Sequence, residues 1–471
     1  MAGGIVVHRF GPFELDPASG RLFRGQQRVP LSDTQSAILV QLVASAGEVV
    51  ARDALIQTAW GNTAVTENSL GQAIRRLRQA LGGGPSGALY IETLTNHGYR
   101  FAAEVERAER DAPAASLEAQ IAPYRAFVHG RAELDTLDAD AIQRARRAFE
   151  DAVRLAPEYA DAHVGLAMAC GLAFEATVAG AGTDPLLLQR GIEHARHACA
   201  LTPSSGDAWS TLAFVLYLSG DRDQAAAAAC KAAALDPENS RHALRLAYVS
   251  WGDDRLRAAR GVLARGPGMA LAHWLRATVF IARGAFDAAV EELRLGCAAQ
   301  DAQPKRSGFP AVGLHLLDGL VHAAHQRLDE AAAALARELG SADSGQLYAR
   351  ECAANTWYAL GAVRLRQHKR DEAEDAFRRA LTIAPCHVSA AAALRGQVLS
   401  SSTASDAFVG RAIALVRAER HADAARVYRE AVSQAPPGPA GWLLPVEPLL
   451  NPRARPDIWA ETLALVRLRA T

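Results

Sequence analysis

Residues 66–81 read Thr66-Glu67-Asn68-Ser69-Leu70-Gly71-Gln72-Ala73-Ile74-Arg75-Arg76-Leu77-Arg78-Gln79-Ala80-Leu81. At about 100° per residue, Leu70, Ile74, Leu77 and Leu81 fall in one narrow stripe, which predicts an amphipathic helix over 67–81. Its other face carries Asn68, Gln72, Arg75, Arg76 and Gln79, with Ser69 and Arg78 on the flanks. An ordinary solvated helix mixes Glu and Lys on that face, but here no acid follows Glu67 before the helix ends. Arginine can bond the guanine edge through two hydrogen bonds, and Asn or Gln can do the same for adenine. The face suits the major groove of DNA; the plainer alternative is a surface helix that is merely Arg-rich.

The flanking segments give that helix a setting. Phe10–Asp16 and Arg21–Leu31 alternate like short antiparallel strands joined by polar turns, with the first strand beginning near Phe10. Ser32-Asp33-Thr34-Gln35 has the pattern of a capping box, so a helix is expected over Asp33–Ala44, ended by Gly47. A second helix is expected over Arg52–Trp60, before Gly61-Asn62. After the glycine-rich stretch 82–87 come Tyr90–Leu94, Thr95-Asn96-His97-Gly98 and Tyr99-Arg100-Phe101, which read as a hairpin with its tip at Asn96–Gly98. Strands, three helices and a closing hairpin make a winged helix-turn-helix.

The order of motifs resembles a known family. Leu31-Ser32 with Gln35, Gly47–Leu55, Trp60-Gly61, Asn68–Gly82, Ile91–Leu94 and Gly98–Phe101 are similar to the OmpR/PhoB-type DNA-binding domain over about 100 residues. The resemblance implies that 67–81 is the recognition helix. Asn68, Ser69, Gln72, Arg75 and Arg76 would then address bases or nearby phosphates, while Arg78 would grip a phosphate. The hairpin would be the wing in the minor groove, with Thr93 and Thr95 near the DNA backbone. Family wings often carry an arginine where this chain has Thr95, which leaves Asn96 and His97 as the polar tip. Tyr99 resembles a family aromatic that either packs under the wing or approaches phosphate.

From Ile121 onward the chain is Ala-rich and helical in pattern, punctuated by Pro and Gly. Pro203 and Pro237, 34 positions apart, each close a phrase of the form A-x-x-L-x-P. Trp209, Leu212, Ala213, Leu216, Gly220, Ala225, Ala229 and Ala232 lead to Pro237. Trp357, Leu360, Gly361, Ala373, Phe377 and Ala380 lead to Pro385 at matching offsets. Phe408, Ala412, Leu415, Ala424, Tyr428 and Ala431 lead to Pro436, and an early unit supplies Ala145, Phe149, Ala152 and Pro157. These spacings resemble the tetratricopeptide repeat. Such units cannot bury their faces alone, so roughly eight helical pairs should stack into a curved solenoid with a concave groove.

The expected fold is therefore mainly α: an α+β winged helix-turn-helix over 1–103, a charged Ala/Pro linker over 104–120, an all-α repeat solenoid over 121–436, and a Pro-rich tail over 437–471 that caps it with a last helix near Ile458–Arg469. A 471-residue chain agrees with more than one domain. Its 51 basic and 51 acidic residues cancel, so any nucleic-acid contact must come from a local cluster, with dimerisation or tandem binding as support. The N-terminus has no charged segment followed by an apolar core, so no signal peptide is expected. The best membrane candidate, Val164–Gly182, is Gly/Ala-rich and interrupted by Glu175, so no membrane span is expected and the compartment is read as cytoplasmic. With few residues ahead of the first strand, no phospho-receiver domain is expected.

Enzyme chemistry has little foothold. Residues 82–87 lack the Lys-Ser/Thr of a phosphate loop, and neither H-E-x-x-H nor G-x-S-x-G occurs. His194 and His197, like His322 and His325, have helical spacing but no evident third ligand, and read as solvated faces. The six cysteines show no C-x-x-C spacing and read as small buried residues in a reducing compartment. No catalytic residue, cofactor or metal is expected. The whole resembles one-component bacterial regulators in which a winged helix is joined to tetratricopeptide repeats. That resemblance implies double-stranded DNA as one partner, a protein or peptide in the repeat groove as another, a homodimer on DNA, and contact with RNA polymerase. The alternative is a repeat scaffold whose winged helix serves protein contacts.

Overall fold

Ile5-Val-Val-His-Arg-Phe10 is a β-branched run that forms the first strand, β1 (Ile5–Phe10). The first strand therefore starts ahead of Phe10, where alternation alone had placed it. It pairs with β2 (Phe13–Asp16), followed by β3 (Arg21–Arg24) and β4 (Gln27–Val29) in an antiparallel meander. On its other edge β1 pairs with β8 (Glu106–Arg110), in register His8 with Arg107 and Arg9 with Glu106. The sheet order is β4-β3-β2-β1-β8. Part of the segment read as linker is thus an edge strand, and its charges are the usual protection of an exposed edge. The computed structural model describes residues 5–25, 27–61, 67–82, 90–95, 97–110, 114–178, 184–302, 312–341, 347–395 and 404–471.

Three helices follow the meander. Ser32 caps α1 (Asp33–Ala44): its hydroxyl accepts from the Gln35 amide at 3.3 Å, and its own amide donates to the Gln35 side chain at 3.0 Å. The short strand β5 (Val49–Val50) leads into α2 (Arg52–Trp60), which ends at Gly61 with φ +59°. Next is α3 (Glu67–Leu81), then the hairpin β6 (Ile91–Leu94) and β7 (Gly98–Phe101), which with β5 forms a second sheet in the order β5-β7-β6. Gly98 has φ +138°, and a Cβ there would lie 2.1 Å from the Val50 carbonyl oxygen. Only glycine lets β7 close so tightly on β5. Phe10, Phe13, Tyr90 and Phe101 form one aromatic core, with Phe10 and Phe101 rings 4.9 Å apart and nearly perpendicular.

The remaining helices run as antiparallel pairs: α4 (Ala114–Leu134) with α5 (Ala139–Leu155), α6 (Ala160–Val178) with α7 (Pro185–Leu201), α8 (Gly206–Leu218) with α9 (Arg222–Leu235), and α10 (Ser240–Val249) with α11 (Gly252–Arg265). Then come α12 (Ala270–Arg283) with α13 (Phe286–Asp301), α14 (Leu314–Ala324) with α15 (Leu328–Ser341), and α16 (Leu347–Arg366) with α17 (Arg370–Ile383). The short α18 (Val388–Arg395) precedes the pair α19 (Ala404–Arg417) and α20 (His421–Gln434). Glycine lets the pairs approach. A Cβ at Gly165 would meet the Phe149 ring at 2.4 Å, and one at Gly361 would meet the Phe377 ring at 2.6 Å. Close packing of small against large residues is what the repeat spacing demands.

Two features depart from a plain stacked array. The start of α16 returns to the first pairs: the Leu347 amide donates to the Leu137 carbonyl at 2.9 Å, and the Tyr348 hydroxyl donates to Glu175 at 2.5 Å. The tail is also more than a terminal cap. Trp442 meets Trp274 of α12 edge-on, Glu447 accepts from the Tyr358 hydroxyl of α16, and α21 (Pro456–Arg469) packs on α20. Beyond α21, the Ala470 carbonyl accepts from Arg283 of α12 at 2.8 Å. The tail therefore ties the last pair back to α12, α14 and α16. Among the described residues no helix is long and apolar enough to cross a membrane.

Candidate nucleic-acid interface

Helix α3 has the two faces its spacing implies. Leu70, Ile74, Leu77 and Leu81 are each 1% exposed or less and join the core with Leu39, Leu42, Leu55 and Phe101. Burial of side chains of this size contributes roughly 1.5–3 kcal/mol each and fixes the roll of the helix. Arg75 and Gln79 are exposed, while Ser69, Gln72, Arg76 and Arg78 are half-buried. Asn68 lies within the helix, but its side chain is outside the described residues, as is Asn96 at the hairpin tip.

Arg78 lies against the hairpin. Its Nε donates to the Ile91 carbonyl at 2.9 Å and a terminal nitrogen donates to the Thr93 hydroxyl at 2.8 Å. A helical wheel puts Arg78 on the flank but cannot show that β6 offers acceptors there. Arg78 ties the helix to the hairpin, and Thr93 is half of that tie. Thr93, Thr95 and His97 are exposed along the hairpin, and the His97 ring Nδ1 lies 2.8 Å from the Thr95 carbonyl, which stiffens the turn. Arg100 and Glu92 pair across the two strands at 2.6 Å. Tyr99 is 7% exposed and belongs to the core, so packing under the hairpin describes it. Arg76 reaches out of the domain to Asp236, at 3.5 Å.

Other chemistry is sparse. His163 of α6 approaches the His194 and His197 pair of α7: its Nδ1 is 2.9 Å from His194 Nδ1, so His194 is not simply solvated. His163 Nε2 must donate to the Pro157 carbonyl, 2.9 Å away, because a carbonyl only accepts. The same contact recurs as Trp209 to the Pro203 carbonyl and His273 to the Pro267 carbonyl. A ring N–H six positions after a repeat proline is therefore a turn-fastening device, a signal legible in the sequence once the pairs are aligned. Among the described residues no group of three His, Cys, Asp or Glu is placed to hold a metal. Cys170, Cys199 and Cys352 are buried, but Cys230 and Cys386 are exposed, contrary to a uniformly buried set. Burial pushes the Cys170 and Cys199 thiols up to about 11.

Residues 25–101 match the family described as "Transcriptional regulatory protein, C terminal", and residues 134–170, 354–385 and 387–439 match tetratricopeptide repeats. The chain thus carries a transcriptional-regulator DNA-binding domain joined to tetratricopeptide repeats, and the matched regulator family is not one of enzymes. Among individual relatives, "Transcriptional regulator HilA" of Salmonella typhimurium is 39% identical over 82 residues, covering 17% of this chain and 15% of that protein. "Protein PetR" of Rhodobacter capsulatus is 31% identical over 108 residues, covering 22% of this chain and 46% of that protein. The chain therefore spans less than half the length of either relative. Among solved structures, the DNA-binding domain of E. coli CadC covers 22% of this chain at 27% identity and a TM-score of 0.21. The Klebsiella pneumoniae RstA DNA-binding domain in complex with RstA box covers 20% at 33% identity and a TM-score of 0.19.

Proposed function

We propose that the protein is a sequence-specific, cytoplasmic DNA-binding transcription regulator whose repeat array receives a protein or peptide partner. The observation that carries this reading is the polar face of α3, where Gln72, Arg75 and Arg76 project from a helix held by a wholly buried aliphatic stripe. In the major groove Arg75 and Arg76 would address guanine edges or adjacent phosphates, and Asn68, Ser69 and Gln72 would address bases or backbone. Thr95, Asn96 and His97 would meet the minor groove, while Arg78 and Thr93 brace the wing at its angle to the helix. Two copies on adjacent half-sites, with contact to RNA polymerase, would supply the affinity that a chain of zero net charge lacks.

The test uses the full chain and duplex DNA from the region upstream of its own gene. Wild-type binding should fall steeply between low and moderate salt. Arg75→Ala should cost about 1–3 kcal/mol of affinity and relax sequence preference at one position. Salt-insensitive binding, or a doubly substituted Arg75/Arg76 variant that binds normally, rejects the reading.

A further inference from the structure

The contact between Arg76 and Asp236 joins the face that reads DNA to the repeat array. Asp236 lies in the turn between α9 and α10, and both side chains retain 35% of their exposure. Two further contacts join the same two regions. Arg131 of α4 pairs with Asp33 at the start of α1 at 3.4 Å, and the Arg21 guanidinium sits 5.8 Å from the ring centre of Tyr159, in the turn before α6. No hydrophobic cluster spans the junction among the described residues: the winged-helix core ends at Val105 and that of the first pairs begins at Ala126. Each of these three contacts carries a charged side chain on at least one side.

We infer that the repeat array is a mask for its own reading head, docking the winged-helix domain so that Arg76 is held by Asp236 and α3 cannot enter a groove. This rests on α3 being the reading helix. A helix in the major groove has a phosphate wall on either side, in a groove about 12 Å wide. A protein edge 3.5 Å from Arg76 occupies the place of one of those walls. Duplex and edge therefore compete for the same cation. A junction of exposed ion pairs without an apolar core is weak per contact and opens readily. Apparent DNA affinity is then the intrinsic affinity scaled by the open fraction, so any change that undocks the domain tightens DNA binding.

Two variants of the full chain test this with a short mixed-sequence duplex at low salt. Asp236→Asn removes an acid and Arg131→Ala removes a base, so by charge alone they move DNA affinity in opposite directions. As undocking variants both should tighten it, each by about two- to fivefold, the range expected for loss of one exposed pair. Opposite shifts, no shift, or weaker binding by both overturns the mask. Arg75→Ala in the same assay separates the two levels. If it loses affinity while the docking variants fail to gain any, α3 reads DNA and the mask alone falls. If it binds like the wild type, the reading of α3 falls as well. Circular dichroism melts of Asp236→Asn and Arg131→Ala that match the wild type establish that the changes are local.

Discussion

In the winged-helix domain the core is assembled from distant pieces: Phe10 and Phe13 from the meander meet Tyr90 and Phe101 from the closing hairpin. In the repeat array, Phe149 and Phe377 instead fill spaces left by glycines one helix away in the stack, Gly165 and Gly361. The first arrangement makes a unit that forms or fails as a whole. The second spreads stability over nearest-neighbour contacts, so damage should stay near its origin. The contrast also locates function. The small, non-local domain holds one helix rigidly enough to present a polar face, and the long, local array offers edges and inner surfaces.

The largest break in this comparison should come from Phe101→Ala. Phe101 is fully buried at the centre of the aromatic core, and truncation of such a side chain costs about 3–5 kcal/mol. That is comparable with the whole stability of a domain of this size. Duplex binding should be lost while most of the far-ultraviolet helical signal, which comes from the array, survives. Simultaneous collapse of both signals would show that the two regions fold as one.

A smaller effect is expected from Gly361→Val. The added side chain meets the Phe377 ring, and overpacking of this kind costs about 1–3 kcal/mol. Hydrogen exchange should accelerate in α14–α17 and leave the winged-helix domain unchanged. Acceleration that also reaches α4–α6 would sharpen the picture, because Leu347 and Tyr348 tie α16 back to those helices. The array would then behave as a closed coil and not as an open stack.

The same contrast explains what was legible beforehand. The bounds of α1, α2 and α3 follow from local signals: the Ser32–Gln35 box, Gly61, and the stripe from Leu70 to Leu81. Strand β8 was not legible, because Glu106-Arg-Ala-Glu-Arg110 has the composition of a linker and becomes a strand only beside β1, at the far end of the domain. The polar face of α3 was readable as a face, yet the partners of Arg78 on β6 and of Arg76 on the array are tertiary facts that no periodicity encodes. In the repeats, spacing revealed the pairing but not the return of α16 or the path of the tail, since both depend on curvature summed over many units.

Glu175 offers the finest test of that closure. In the sequence it is a single acid interrupting an apolar run, but in the fold it accepts from Tyr348 across 173 positions. Burial raises its carboxyl to about 7, with Glu351 adding to the rise and Tyr348 and Arg245 opposing it. Between the ordinary value of 4.5 and 7 the folded protein binds more protons at this site than the unfolded chain. Its contribution to stability is therefore complete below the ordinary value and is lost as pH rises through 7. His387, lowered to about 4 by burial, acts in the opposite sense, since its unfolded form takes up a proton first as pH falls. The wild-type profile alone cannot separate the two. The difference between wild type and Glu175→Gln does so, because Gln keeps a polar group near Tyr348 but does not titrate. In urea denaturation the difference should change by on the order of 1 kcal/mol between about pH 5 and pH 7.5, with the wild type losing ground as pH rises. A flat difference would mean that solvent reaches Glu175 freely and that the contact between α6 and α16 is open in solution. The array would then be the one-dimensional stack that its repeats alone imply.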